Sequence, residues 1–211
     1  ITLDATVCSV STTWTEETPP RPRLARITIE QYEGMVERGL LPMGPIELID
    51  GLLVHKNRAA RGQDPMTVGT AHQTAVDNIA LLSSAFRKLG CTLRIQGPVR
   101  VPPRSEPEPD ATVFSGLPQA DAHPGPRRIS CVIEVSDSSL EYDRDTKAGV
   151  YASNGIPQYI IVNLVDDLIE VHSRPRDGRY SRREIVTRGK SLKISAGQKK
   201  SITVRAAAIL P

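Results

Sequence analysis

Aromatic side chains are scarce in this sequence, at 4% of residues against 39% hydrophobic in total. The core must therefore rest on Val, Ile, Leu and Ala. No apolar run approaches the roughly 18 residues of a membrane-spanning helix, so no membrane partner is expected. The opening Ile1-Thr-Leu-Asp-Ala-Thr-Val7 holds no basic stretch leading into an apolar one, and no signal peptide is expected. Cysteine is sparse: Cys8, Cys91 and Cys131 are an odd, scattered set without CxxC spacing. Cys131 lies inside an apolar run and reads as a small core residue. These absences lead to the expectation of a reduced, cytoplasmic protein. No internal repeat is visible.

Acidic residues run out toward the C-terminus. From residue 172 onward, 11 Lys and Arg face only Asp177 and Glu184, a net of +9, whereas the first 171 residues carry a net of −6. A basic region beside an acidic body fits an anionic partner such as nucleic acid, or a solvated hairpin with Arg and Lys on its outer face.

What is present fits one compact domain: 211 residues, with 24% charged. Residues 1–23, rich in Thr and Pro without period, read as a flexible N-terminal arm, and 24–211 as a single domain. Thr28-Ile-Glu-Gln31 resembles a capping box before a helix over about 29–38, stopped near Gly39. Ile46 to His55, centred on Asp50-Gly51, has the form of a hairpin with a type I′ turn. A polar loop over 56–69 follows, its basic side chains facing a phosphate backbone or solvent. Thr70-Ala-His-Gln73 reads as a second capping box, opening a helix whose stripe of Val76, Ile79, Leu82, Phe86 and Leu89 ends at Gly90. His72 shares that inward face, either as a ligand or as a satisfied interior residue.

Next come residues 92–96 and 99–101, split by a Gly97-Pro98 break, which read as one bent strand or two short ones. A third strand opens in acidic residues, with Glu108, Asp110, Thr112 and Phe114 on one face and Ala111 and Val113 on the other. The run from Ile129 to Ser136 is apolar on both faces, as in a covered central strand, yet it carries Glu134. Asp143 is placed to cap a helix over about 144–153, with Lys147, Val150 and Tyr151 on one face. Gln158 to Leu164 is another doubly apolar strand, and antiparallel strands follow as a basic β extension over 168–211. The order from about 70 to 164, helix–strand–strand–strand–helix–strand, is an α/β core with a mixed central sheet.

Two carboxylates and an ammonium in an apolar frame are costly to bury unless they serve a metal or each other. If the strands carrying Asp110 and Glu134 are neighbours and the helix of Lys147 folds over them, the three converge at one end of the sheet. Hard carboxylate oxygens suit Mg²⁺ or Mn²⁺, and a lysine there would position a water or share developing charge. A buried ion pair is the other reading of the same residues.

Pro109-Asp110 and Ile133-Glu134-Val135 in an αβββαβ order resemble the PD-(D/E)XK nuclease superfamily. The wider set resembles its Uma-two branch of restriction-endonuclease-like proteins: Glu47-Leu-Ile-Asp-Gly51, His72, Glu108-Pro-Asp110, Val132 to Ser139, Tyr142 to Lys147, and Tyr151 to Tyr159. The resemblance spans about 28–172. It implies a restriction-endonuclease-like core with an N-terminal helix and hairpin and C-terminal antiparallel strands. It also implies a metal-dependent endonuclease acting on DNA. Asp110 and Glu134 would bind the metal, with the Val135 carbonyl as a third ligand. The superfamily's lysine normally stands two residues after the acid, where this chain has Ser136; Lys147 would replace it from the next helix. His72 takes the place of an acid on the first helix. Glu47 and Glu108 are weaker candidates, one an ordinary hairpin residue, the other a strand entry. Cutting two strands brings the expectation of a homodimer. The alternative is a nucleic-acid-binding module that keeps the fold without turnover.

Overall fold

A computed structural model describes residues 24–56 and 69–211. The arm over 1–23 and all but the ends of the loop over 56–69 lie outside the described residues. Helix α1 (Ile29–Glu37) starts at the expected capping box: Thr28 accepts from the Gln31 N–H, and the Gln31 side chain accepts from the Thr28 N–H. Strands β1 (Ile46–Ile49) and β2 (Leu52–His55) form the hairpin, with Asp50 and Gly51 both at positive φ (47° and 77°). A Cβ at Gly51 would also lie 2.6 Å from the Arg26 Cβ, so only glycine fits. Ile29 and Tyr32 of α1 pack on Leu48 as a small core of their own.

The second helix departs from expectation at two points. Gly69 is the N-cap of α2 (Thr70–Ala80) and makes no side-chain cap bond, so the second capping box does not form. Thr70 lies inside the first turn, where its carbonyl accepts from the Thr74 hydroxyl. The single expected helix is also broken. Ser83 donates its hydroxyl back to the Ala80 carbonyl at 2.6 Å, and a separate turn, α3 (Ser83–Lys88), follows.

The main sheet has six strands in the order β3-β4-β5-β6-β7-β8. These are β3 (Cys91–Ile95), β4 (Ala111–Ser115), β5 (Ile129–Ser136), β6 (Gln158–Asn163), β7 (Leu168–Arg176) and β8 (Arg179–Thr187). All neighbours are antiparallel except β5 and β6, the pair joined by the helical crossover, so the sheet is mixed. The C-terminal antiparallel strands are present, and β7 and β8 are hydrogen-bonded into this sheet and extend it. Only β9 (Ser191–Ser195) and β10 (Ser201–Arg205) form a separate ribbon. Residues 99–101 make an isolated bridge, Val101 to Ser105, and no strand.

Every residue of β5 is buried, as a doubly apolar central strand requires. On one face of the sheet, Val76, Ile79 and Phe86 from α2 and α3 meet Cys131, Ile133 and Val135, with β9 and β10 completing the layer. On the other, Tyr151 and Ala148 of the crossover meet Val132, Phe114, Tyr159 and Ile161. Each large apolar side chain so enclosed contributes about 1.5–3 kcal/mol.

The crossover begins earlier than expected. It runs through α4 (Leu140–Tyr142), a π-helical turn (Asp143–Lys147) and α5 (Ala148–Ser153). Asp143 is therefore not a cap. It lies inside the helix, its carboxylate accepting from the Ser136 and Ser139 hydroxyls at 2.7 and 2.6 Å. Insertions that widen a helical turn recur where side chains must be re-aimed. Here the wide turn carries Arg144 and Lys147.

Candidate active site

Asp110 stands one residue before β4. The register Thr112–Val132, Ala111–Ile133 makes Glu134 its next cross-strand partner. The strand starts at Ala111, short of the expected acidic opening, because Pro107 and Pro109 have no N–H to give a ladder. Without the ladder, the Asp110 side chain accepts from the backbone N–H of Val135 at 2.8 Å. His72 reaches the same oxygen: its Nε2 is 3.3 Å from Asp110 Oδ2. Burial pushes the Asp110 carboxyl up, but the His72 and Val135 bonds and the Lys147 charge outweigh it and hold the group below its usual range. His72 Nδ1 is buried without a partner among the described residues.

Lys147 folds over this end of the sheet. Its ammonium donates to Glu134 Oε1 at 3.0 Å and lies 3.3 Å from Glu47 and 3.8 Å from Asp143. Tyr151, one turn on, donates its hydroxyl to the same Glu134 oxygen at 3.1 Å. The structure thus brings Asp110, Glu134, Lys147 and His72 together. It also promotes Glu47, which is buried, from ordinary hairpin residue to cluster member. Glu47 reaches the cluster because the hairpin docks at the Leu48–Glu106 bridge. Glu108 stays outside: it is partly exposed and paired with Lys56 at 3.1 Å. Asp143 and Tyr151 were missed as site residues, although both stand four residues from Lys147, the spacing that shares a helix face.

Charge balance decides the chemistry of this cluster. Burying an ion costs several kcal/mol, and one ammonium can offset only one of the three carboxylates around it. The Lys147 ammonium stays charged, since its three carboxylate neighbours overcome the cost of burial. Burial pushes Glu134 up to about 8, with Asp143, Asp110 and Glu47 adding to the rise against Lys147. Asp143 is likewise raised by burial. The excess negative charge must be met by a proton or by a cation. Among the described residues, no three His, Cys, Asp or Glu side chains converge as metal ligands. A magnesium-like ion needs only one or two protein carboxylates, with water in its other positions. The donor set of Asp110 and Glu134, hard oxygens in an electron-rich cluster, fits such an ion.

A second buried carboxylate anchors the same helix. Glu170 of β7, fully buried, accepts from Arg144 at 2.5 and 3.0 Å, from Arg183 Nε at 3.1 Å and from Asn163 at 3.3 Å, with Arg183 Nη2 at 2.9 Å as an ion pair and His172 at 3.2 Å. Burial alone would raise this acid, yet His172 and the two guanidinium groups bring it down to about 2. Arg144 precedes Lys147 by three residues on the π turn, so this clamp and the Tyr159 hydroxyl on the Asp143 carbonyl (3.1 Å) fix the start of the wide turn. Four arginines of the basic C-terminal region are accounted for by pairing: Arg183 with Glu170, Arg182 with Glu184, Arg188 with Asp167 and Arg176 with Asp177.

The sequence profile of the family described as "Uma2: Putative restriction endonuclease" matches residues 44–206, most of the chain. The chain belongs to the Uma2 family. A solved structure supports the fold of this Uma2 chain: a crystal structure described as "a putative nuclease belonging to DUF820" from Anabaena variabilis ATCC 29413. It is 14% identical, with a TM-score of 0.62, covering 87% of this chain and 97% of that one. No curated protein matches significantly. The PD-(D/E)XK-like nuclease fold is thereby established for this Uma2 chain, and among the described residues no helix is long and apolar enough to cross a membrane.

Proposed function

We propose that this Uma2 protein is a Mg²⁺- or Mn²⁺-dependent endonuclease that hydrolyses phosphodiester bonds of DNA. The single observation that carries the reading is Lys147: a buried ammonium 3.0 Å from Glu134, the acid whose cross-strand neighbour is Asp110. Asp110, Glu134 and the Val135 carbonyl would hold the ion. When bound, it would supply Lewis-acid polarisation of the phosphodiester and a more acidic water.

The remaining work falls to the chain's own residues. His72 and the Val135 N–H fix the Asp110 carboxylate from two sides, and Tyr151 fixes Glu134. The Lys147 ammonium would stabilise charge developing on the scissile phosphate. Glu47 and Asp143 hold that ammonium in place, which makes them positioning residues.

A nucleic-acid-binding module without turnover is favoured by one observation, the three carboxylate neighbours that Lys147 already has. Cleavage of supercoiled plasmid DNA in Mg²⁺ and in Mn²⁺, with Glu134→Ala as control, separates the two readings. Nicked and linear products with the wild type, and a loss of at least about 10²-fold in the variant, are expected. Equal activity in the variant would remove the proposed site.

A further inference from the structure

Beside the candidate site lies a cavity of about 610 Å³ lined by Arg94, Gln96, Arg100, Gln119 and His123, with Glu33 and Asp121 also contributing. We propose that it is a subsite for a nucleotide flanking the scissile bond, with Arg94 pairing the phosphate and the Gln96 and Gln119 amides facing the base. This rests on the nuclease reading and adds to it where the strand runs.

Position is the first support. The Gln96 N–H bonds the Asp110 carbonyl at 2.9 Å, so the cavity wall adjoins the candidate metal-binding acid. Arg94 pairs with Thr112 across β3 and β4, and residues directly opposite share a face. That face also carries Phe114 and, on β5, Val132 and Glu134. Gln96 follows the end of β3, two residues on from Arg94 and at positive φ (43°), so both lie at the same end of the strand.

Preorganisation is the second. The Arg94 guanidinium carbon stands 5.2 Å from the Phe114 ring centroid, and its Nη1 points at the Pro98 carbonyl, 3.5 Å away. Gly97 takes a φ of +154°, and a Cβ there would approach the Arg94 Cδ to 3.1 Å, so the turn leaves room for the arginine stem. A planar guanidinium held in this way matches a phosphate in two-point fashion with little further entropy loss.

Charge is the third. Arg100 is already committed to Glu30 and Glu33, whereas no carboxylate among the described residues pairs with Arg94. His123 is held below its usual range by burial first, then by Arg94 and Arg100, with Glu33 and Glu108 opposing. The volume falls in the range of small-ligand sites, roughly 300–1,000 Å³.

The test is fluorescence anisotropy of a short labelled DNA duplex with the full chain in EDTA across a salt series, so that binding is read without cleavage. Arg94→Ala should weaken binding about tenfold and reduce the log–log salt slope by about one, and Arg94→Lys should restore the slope but not all of the affinity. If Arg94→Ala does not fold, Arg94→Gln and Arg94→Lys carry the comparison, with melting curves as the check. Wild-type affinity and slope in the charge-deleting variant would overturn the subsite, as would absence of salt-dependent binding by the wild type. A binding loss in Arg94→Ala, with no cleavage by the wild type in any divalent metal, would keep the subsite and overturn the nuclease reading. Intact binding in Arg94→Ala, with metal-dependent cleavage by the wild type, would do the reverse.

Discussion

Lys147→Met is expected to lower the rate of DNA cleavage by roughly 10²–10⁴-fold, the range for a positioned side chain that moves a proton or meets charge in the transition state. Its effect on stability should be equally informative. In a simple buried ion pair, apolar replacement of a partner leaves one stranded charge. Here it leaves Glu134, Glu47 and Asp143 grouped with no ammonium between them. The metal-free variant should lose roughly 3–5 kcal/mol, the cost of breaking a buried pair by removing one member. For a chain of this size that is a fall in Tm on the order of 10 °C. Millimolar Mg²⁺ should return part of the stability and little of the activity, because a cation offsets the carboxylates but does not replace the ammonium at the phosphate. Cleavage assays beside thermal melts in EDTA and in Mg²⁺ measure both. A variant cutting at the wild-type rate would show that Lys147 takes no part.

Without divalent metal, stability should fall as pH rises from about 5 to about 8. The sign follows from Glu134, whose carboxyl burial pushes up to about 8 from an ordinary 4.5. Between those values the folded state binds a proton that the unfolded chain has released, so each step up in pH favours unfolding. The group's contribution is fully present below the unfolded value and lost above the folded one. One such group gives at most about 1.4 kcal/mol per pH unit. Glu106, also raised by burial, to about 7, has the same sign and lies outside the cluster. Glu134→Gln should therefore reduce the slope without abolishing it. A divalent ion competes with the proton for the carboxylate, so Mg²⁺ should flatten the wild-type slope and leave that of Glu134→Gln unchanged. Melting temperatures across this pH range, in EDTA and in Mg²⁺, provide the measurement. Identical slopes in both conditions for the wild type would contradict the account.

The frame was legible because local chemistry and tertiary packing agree there. Asp50-Gly51 can take two positive φ angles, Thr28 and Gln31 satisfy each other, and the doubly apolar run around Glu134 has only the centre of a sheet to occupy. The proximity of Asp110, Glu134 and Lys147 was legible only on the condition that the two strands are neighbours and the helix folds over them. Where local signals misled, a longer-range partner took over. Asp143 has the look of a cap, but Ser136 and Ser139 draw it inside the helix. Thr70 and Gln73 have capping spacing, but Gly69 holds the cap position. Glu47 could not be ranked from sequence, because its burial depends on a hairpin docking against residues nearly 60 positions away. The Glu170 clamp left one faint trace, an acid and His172 on the same face of a strand that opens in apolar residues; its arginines come from two other elements.

The most direct measurement is calorimetric titration of Mn²⁺ into the wild type, Asp110→Asn and Glu134→Gln. One ion should bind the wild type, and each variant should bind at least about tenfold more weakly, a loss of about 1.4 kcal/mol or more. Equal Mn²⁺ affinity in all three proteins would show that these two acids do not form a metal site.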